Sequence, residues 1–568
     1  MINFYKDFAP RFTLLVRQFG RAEDGALIIF GLMLFILMMM MGGLAVDLMR
    51  YEYTRTNLQN TLDRSTLAAA ALNQTLDPES VVRDYMLKAG LRDQLASVTV
   101  TQVLNSRTVH TEGIADTHPI FLHMLGINKL DAVGQSEAQQ AITNVEIVLV
   151  LDISGSMSRN NKINNLKTAA AEFVDTMFTN DPNHRISISI VPYNAQVNIG
   201  PQLVSKFNIT NLNGVANDNC IELPDPVYAS LPLSRILPMP MMAYADLTKA
   251  TNRIDAFVAP TNATYAKPDY SGAFCKPNPA NVIRLPSNNV ATLKAEINAL
   301  QAEGNTSITL GMKWGVTLLD PTMRSMFDEF IASGDIPASL PERPFAYDDP
   351  KAMKIVVLMT DGEHVAHDRI VNAYKTGPSP IYKSTPDANY SIFHASKVVP
   401  TSSKTICDSR PFWVPHLAAW HSRPWNGVTP ASTDCYSPTA TLTNSAQQNW
   451  EQIWANLKLS YVAWQFYARA LGATPANQTT VYNNTISAMK AIYADAPTMD
   501  GTLHQSCAAA KAQGVIVYGI AFEAPAVGQK AISDCASSSS QYFAADGLEI
   551  QTAFRTIASN ITMLKLTQ

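Results

Sequence analysis

The sequence predicts an α/β fold: a mostly parallel, doubly wound sheet with a site at the carboxyl ends of its strands. Three observations predict it. Val145 to Leu151 is a nearly unbroken apolar run ending in Asp152, and Lys354 to Thr360 is another ending in Asp361. Such runs are the pattern of strands buried on both faces. Segments of helical period alternate with them: Ile163, Leu166, Ala170, Phe173, Val174 and Met177 share one face, as do Val290, Leu293, Ile297 and Leu300. Near the end, Val515 to Phe522 repeats the apolar run.

The 568 residues suffice for roughly two to four domains. Hydrophobic residues make up 47 %, enough for a large core, and the net charge of −4 argues against nucleic acid as a partner. Gly25 to Val46 carries no charge over 22 residues. As a helix it is about 33 Å long, enough to cross about 30 Å of hydrocarbon. Lys6, Arg11, Arg17 and Arg21 precede it, so the N-terminus is expected in the cytoplasm. The apolar core is too long for a cleavable signal peptide. Gly25 stands where a type-IV prepilin cleavage site needs glutamate, so the anchor is expected to stay uncleaved.

The expected organisation is a cytoplasmic segment 1–24, a transmembrane anchor 25–46, a helical stalk with a small α+β unit over 47–143, and the sheet domain over 144–565. Asp47 to Asn73 continues the helix. Leu58, Leu62, Leu67 and Ala68 to Ala71 give it a small, apolar face, suited to a plain stalk or to close packing against a partner helix. Val81 to Leu87 suits a helix. Val98, Val100, Val109 and Thr111 alternate as in a hairpin, Pro119 to Leu125 is a short helix, and Ala132 to Ala138 a further strand.

In the sheet domain, Ile186, Ile188 and Ile190 mark a strand that Pro192 is expected to stop. Residues 194–286 are too long for a loop and read as an insertion with its own small core, with Cys220 and Cys275 placed to staple it. Ser287 is the expected cap of the next helix. Gly304 to Gly311 leads into a helix bearing Trp314 and Leu318. A second insertion, 364–499, holds Trp413, Trp420, Trp425, Trp450, Trp454 and Trp464. Ala446 to Leu471 reads as one helix whose stripe Trp450, Trp454, Leu457 and Tyr461 forms either that insertion's core or a recognition surface. A helix from Gly501 to Gln513 capped at Gly514, a strand near Tyr542 and a last helix with Phe554, Ile557 and Ile561 close the domain.

The six cysteines, Cys220, Cys275, Cys407, Cys435, Cys507 and Cys535, are dispersed, so zinc-ribbon spacing is excluded. Disulfides in an oxidising compartment fit them, buried thiols being the alternative, and Cys507 and Cys535 flank one strand and can pair across neighbouring helices.

Three segments converge on one sheet edge: Asp152, Ser154 and Ser156, then Thr306, then Asp361. Oxygen-only donors favour Mg²⁺, Ca²⁺ or Mn²⁺ over zinc. Hydroxyls bind a cation without neutralising it, so the ion stays electrophilic and open to a partner's Asp or Glu. Turn chemistry is the bland alternative. This set resembles the metal-ion-dependent adhesion site of von Willebrand factor type A domains, which carry Asp-x-Ser-x-Ser, a threonine in a second loop and an aspartate after a buried strand. All five positions match. The resemblance implies adhesion without turnover. Asp152-Ile153-Ser154-Gly155-Ser156 also echoes the haloacid-dehalogenase phosphatases, but Ser154 replaces their acid/base aspartate and cannot do its proton transfer. His364 and His367 follow Asp361 and read as ordinary polar loop residues, not as a metal pair.

The ends of the chain carry a second resemblance. Asp24 to Ala26, Gly43 to Asp47, Leu58 to Asp63 and Leu67 to Ala71 look like the membrane segment of TadG-type proteins of the bacterial Tad (Flp pilus) system. Lys511 to Phe522, Cys535 to Ser537 and Phe554 to Ala558 are similar to the same group. The resemblance implies a single-pass inner-membrane protein, its bulk periplasmic, serving pilus assembly or attachment through an acidic protein partner of the pilus or envelope. A metal-dependent phosphatase or hydrolase, and an envelope scaffold whose metal only steadies the fold, are the alternatives.

Overall fold

The computed structural model describes residues 24–71, 76–103, 106–141, 144–179, 181, 185–247, 268, 273–349, 351–399 and 408–567. Lys6, Arg11, Arg17, Arg21, Asn73 and Cys407 lie outside the described residues. The chain divides into two compact units, 1–142 with 566–568, and 143–565.

The first unit is built on one helix, α1 (Asp24–Ala70). Its apolar half, Leu27 onward, is the one described helix long and apolar enough to cross a membrane. Helix α2 (Pro78–Lys88) starts where the Asp77 carboxylate accepts from Ser80 N–H, with proline at its first position. Strands β1 (Leu95–Val103), β2 (Ser106–Thr117) and β3 (Leu130–Ala141) form an antiparallel sheet in that order. The small-residue face of α1 packs on this sheet and on α2, whose Val81, Val82 and Met86 share its core. Leu58 and Leu62 are fully buried above Gly113 and Gly134, which face each other across β2 and β3. A Cβ on either glycine would come within 3.0 Å of a leucine methyl, so the pair lets the helix lie close. The expected short helix is a single 3-10 turn, Leu122–Leu125.

The second unit is organised by six strands: β4 (Asn144–Asp152), β5 (Ile186–Tyr193), β6 (Arg284–Ser287), β7 (Ala352–Thr360), β8 (Ile516–Phe522) and β9 (Tyr542–Ala545). Their spatial order is β9-β8-β7-β4-β5-β6, all parallel except the edge strand β6. Alternate side chains of β4 enter two cores. Val148 and Val150 face the helix Ile308–Leu318, whereas Ile147, Leu149 and Leu151 join the opposite core.

Helices therefore cover both faces: α3 (Lys162–Thr179) and α4 (Val290–Ala299) on one side, α5 (Ile308–Leu318), α6 (Arg324–Ser333), α7 (Ala496–Ala512) and α8 (Ala526–Cys535) on the other, and α9 (Glu549–Thr567) back beside α3. Phe173 of α3 meets Phe554 of α9 edge to face at 5.8 Å. Every residue of α5 is buried. Its Gly311 and Gly315 admit Tyr193 and Val150, whose side chains would stand 2.5 and 2.6 Å from an added Cβ.

Several boundaries differ from expectation. Pro192 lies inside β5, one residue from its end, where a missing N–H costs the ladder least. Ser287 ends β6, and Asn289 caps α4 by accepting from Thr292 N–H. Helix α7 begins at Ala496, because the Asp495 carboxylate accepts from Thr498 N–H. Among the described cysteines, Cys220–Cys275 and Cys507–Cys535 are disulfides, the second joining α7 to α8, and Cys435 is also disulfide-bonded.

The first insertion has a small cluster of its own, Cys220, Met242 and Cys275 with Phe274 around the disulfide, but most of its described apolar residues join the core of the sheet domain. Ile199, Leu223, Tyr228 and Met241 belong to the cluster around Trp314 and Phe327. Lys313 of α5 fastens it, donating to the carbonyls of Ser230 and Leu231 at 2.7 and 2.9 Å. The second insertion has a core of its own, on a five-stranded antiparallel sheet that includes 378–384 and 445–449. Trp450 and Trp454 are buried and stacked at 5.4 Å, so the tryptophan stripe is core and not an exposed recognition surface.

The expected helix Ala446 to Leu471 is broken: strand to Asn449, helix Trp450–Trp454, then a second helix with a π stretch Val462–Ala468. The widened turn has side-chain partners for two carbonyls, Trp413 Nε1–H donating to Gln465 and His394 Nε2–H to Phe466, both at 2.9 Å. The insertions also meet each other. Glu222 of the first is buried between Lys375 at 2.7 Å and Arg369 at 3.0 Å of the second, and Ala245 and Leu247 enter the second's core.

His364 and His367, expected as ordinary polar loop residues, are both buried. His364 Nε2 accepts from Thr309 N–H at 3.0 Å, at the start of α5, and Nδ1 meets Asp500 at 2.7 Å. His367 lies buried across the insertion boundary, its Nε2 2.8 Å from Gln196 Nε2, with its ring 5.0 Å from that of Tyr493. Burial pushes the His367 imidazole down to about 4. Its unfolded value is about 6.5, so between the two values the unfolded chain holds the extra proton and stability rises with pH. The contribution is complete above pH ~6.5 and is lost as pH falls toward 4, about 3 kcal/mol in all. Urea unfolding at pH 7 and pH 4.5 checks this: His367→Gln loses less stability on acidification than the wild type.

Candidate functional site

The site forms where the carboxyl ends of β4 and β7 meet the loop before α5. Strand β4 delivers Asp152 fully buried. Its Oδ1 accepts from Ser154 N–H at 2.8 Å and its Oδ2 from the Thr360 hydroxyl at 2.7 Å. These bonds aim the carboxylate along the strand axis into the loops. The next turn is a short 3-10 segment, Gly155–Ser158, that brings Ser156 back beside Ser154, their hydroxyls 3.0 Å apart. Backbone bonds lock the loops together: Gly155 N–H to Gly304 at 2.8 Å, Glu303 N–H to Ile153 at 2.8 Å, and Val365 N–H to Thr306 at 3.0 Å. Gly304 makes that approach with φ +80°, a conformation that favours glycine, packed against Asn194.

Strand β7 delivers Asp361, almost fully buried. Its Oδ1 accepts from Ser156 Oγ at 2.7 Å and lies 3.3 Å from Ser154 Oγ. Four of the five expected residues therefore share one cluster. Thr306, also buried, makes no hydrogen bond to the other four among the described residues. It borders the cluster through Gly362, whose added Cβ would stand 3.2 Å from Thr306 Oγ1.

Lys162, at the start of α3, is a member the sequence reading missed. Its Nζ donates to Asp361 Oδ2 at 3.1 Å and lies 3.5 Å from Glu523 Oε2. The ammonium takes one edge of the Asp361 carboxylate and the two serines take the other. A signal existed: a lysine in the first helical turn opposes the helix dipole, so a buried one there needs a carboxylate partner. Thr360 is the other omission, a hydroxyl at the last strand position that orients Asp152.

Burial, and then the neighbouring charge of Asp361, push the Asp152 carboxyl up to about 6. Two buried carboxylates with a shared hydroxyl pair thus resist being charged together. A cation among them would relieve that repulsion. The donor atoms of Asp152, Ser154, Ser156, Thr306 and Asp361 are all oxygens, which suits a hard divalent ion such as Mg²⁺ and not zinc. The one other grouping with metal-ligand side chains among the described residues, Asp218 with Cys220 and Cys275, has both sulfurs in a disulfide.

Residues 25–72 match the family model of Flp pilus-assembly, TadE/G-like proteins. No curated protein matches the chain. Among solved structures, the chain is similar to the von Willebrand factor domain of the type V pili tip protein Mfa5 from Porphyromonas gingivalis, at 11 % identity over 75 % of this chain and 98 % of that one, TM-score 0.28. It is similar to the pilus adhesin SpaC from Lactobacillus rhamnosus GG, at 10 % identity over 82 % of this chain and only 33 % of that one, TM-score 0.28. It is also similar to the PilB minor pilin from Streptococcus sanguinis, at 11 % identity over 83 % and 79 %, TM-score 0.26.

Proposed function

We propose that this chain is a membrane-anchored, divalent-cation-dependent binding protein of Tad/Flp pilus assembly or surface attachment. Its sheet domain is of the von Willebrand factor A type. Asp152, Ser154, Ser156, Thr306 and Asp361 hold Mg²⁺, or Ca²⁺ or Mn²⁺, as a metal-ion-dependent adhesion site. The ion keeps a position for a carboxylate of a pilus or envelope protein. The observation that carries this reading is the cluster itself: two serine hydroxyls and two buried aspartates from separate loops, with oxygen as the only donor. Helix α1 is the single-pass inner-membrane anchor, with the N-terminus cytoplasmic and the bulk periplasmic. The disulfides fit that oxidising side.

The site binds and does not turn over. At the position where phosphoryl chemistry on this motif uses a second carboxylic acid, two residues after Asp152, this chain has Ser154. The test is capture of pilus and envelope proteins by the detergent-solubilised full chain, with Mg²⁺ and with chelator. The expected result is a partner held with Mg²⁺, released by chelator, and absent with Asp152→Ala. The same partners held in both conditions overturn cation-dependent binding and favour a scaffold. Phosphate release from a phosphomonoester, lost with Asp152→Ala, favours a hydrolase instead.

A further inference from the structure

Among the described residues of the first unit outside α1, the loop between β2 and β3 gathers the most exposed large apolar side chains. Ile120, Met124 and Leu125 are 59 %, 78 % and 58 % exposed, and Ile127 is 41 % exposed. Four large apolar side chains on one eight-residue loop are costly in water. Their position shows what covers them. The Asp47 carboxylate of α1 accepts from the N–H groups of Ile120, Phe121 and Leu122 at 2.7 to 2.8 Å. One turn earlier, the Phe121 ring lies over Gly43, where an added Cβ would stand 2.2 Å from it. The loop is thus pinned to α1 at residues 43–47.

Those residues are where the uncharged stretch ends. Gly43 lies three residues before Val46, about 4.5 Å inside the end of the span. The stretch is only slightly longer than a hydrocarbon core, so its last turn lies at the edge of the bilayer. The pinned loop lies at the same level, beside the helix. Its charged and polar surroundings are those of a headgroup layer: His118, His123 and Lys129 are exposed around it. Arg50, Tyr53 and His118 line a groove of about 650 Å³ with Met49, Thr54, Asp116 and Thr117. Arg50, Lys129 paired with Asp116 and Asp131 at 2.9 Å, two histidines and a tyrosine around an apolar tip make the mixed polar and aromatic composition of an interfacial contact.

We infer that the loop Ile120–Ile127 enters the lipid bilayer beside α1, Met124 and Leu125 reaching the acyl boundary, so that the first unit is seated on the membrane by two attachments. This rests on α1 being a membrane anchor. Asp47 and Gly43 then have a shared purpose: they fix the depth of the loop relative to the helix.

The test uses the full chain in vesicles of phosphatidylethanolamine and phosphatidylglycerol. Single cysteines at Met124→Cys, Leu125→Cys, Leu34→Cys and Val133→Cys carry a nitroxide, there being no free thiol among the described cysteines. All four side chains are exposed, so the labels do not disturb packing. Collision with oxygen, which concentrates in lipid, is compared with collision with a water-soluble nickel chelate. The expected result is oxygen preference at Leu34, Met124 and Leu125 and nickel preference at Val133. Nickel preference at both loop positions with oxygen preference at Leu34 overturns the inference and leaves the anchor intact. Nickel preference at Leu34 overturns the anchor and the inference together. Loop labels shielded from both reagents show a protein cover, and overturn it too.

Discussion

If the site binds Mg²⁺ as proposed, Asp361→Ala is expected to remove most of the stabilisation that the ion gives this chain. Asp361 is the hub of the cluster, accepting from Ser156 and Lys162 and lying within 3.3 Å of the Ser154 hydroxyl. Groups one shell removed from a metal typically cost 10–100-fold in affinity, so loss of a direct carboxylate ligand costs about 100-fold or more. At a concentration 100 times the wild-type Kd, a bound cation contributes about 2.7 kcal/mol; for a variant bound 100-fold more weakly the same concentration gives about 0.4 kcal/mol. Thermal unfolding with and without Mg²⁺ reads the difference directly.

Lys162→Met moves the other way. It removes a positive charge 3.1 Å from the same carboxylate and leaves the serine edge of Asp361 in place. Cation affinity should rise by about tenfold or more, since like charges at this range repel strongly in a buried setting. A fall in affinity in Lys162→Met would mean that the ammonium orients Asp361 more than it opposes the ion.

Glu146→Ala destabilises the second unit by about 3–5 kcal/mol, the usual cost of removing one member of a buried ion pair. Glu146 lies in β4, 2 % exposed, with Lys354 Nζ at 2.5 Å and Arg343 Nη1 at 3.8 Å. It also accepts from Phe345 N–H at 3.2 Å. Its loss strands two buried cations. Glu146→Met with Lys354→Met should recover much of the deficit, because well-packed apolar replacements of a buried pair are often neutral or better. Denaturant midpoints of the three proteins check both statements. The triad is six residues along the strand from Asp152, about 20 Å away. Folded Glu146→Ala should therefore bind Mg²⁺ like the wild type, which separates stability from the site.

The sheet and its two aspartates were legible because burial on both faces leaves an apolar run that a carboxylate visibly terminates. Glu146 was hidden by the same feature: one charge inside such a run looks like noise until Lys354 and Arg343 arrive from distant segments. Lys162 was missed because its partner is about 200 residues away in the chain, at Asp361, and only its awkward place in a helix start hinted at it. The match between Ser154, Ser156 and Asp361 was readable as a motif; the side position of Thr306 behind Gly362 was not. In the insertions, local pattern identified the tryptophan stripe as a candidate core. It failed at the helix from Ala446, where Trp413 and His394 capture carbonyls and so favour the wider turn. For the first insertion it found the small core around Cys220–Cys275 but not the residues that pack on α5, a choice set by tertiary contact.

The two insertions leave the sheet domain far apart in sequence, yet Glu222 with Lys375 and Arg369, and Leu247 within the tryptophan core, make them one lobe. Neither can be excised alone. Trimming the first would leave a buried lysine without its acid and an open seam in the second; trimming the second would uncover Glu222. Deleting both together would instead uncover Trp314 and Phe327 and leave Lys313 without the Ser230 and Leu231 carbonyls, so the sheet keeps both excursions, and any graft of this lobe onto another scaffold must carry two chain entries and two exits.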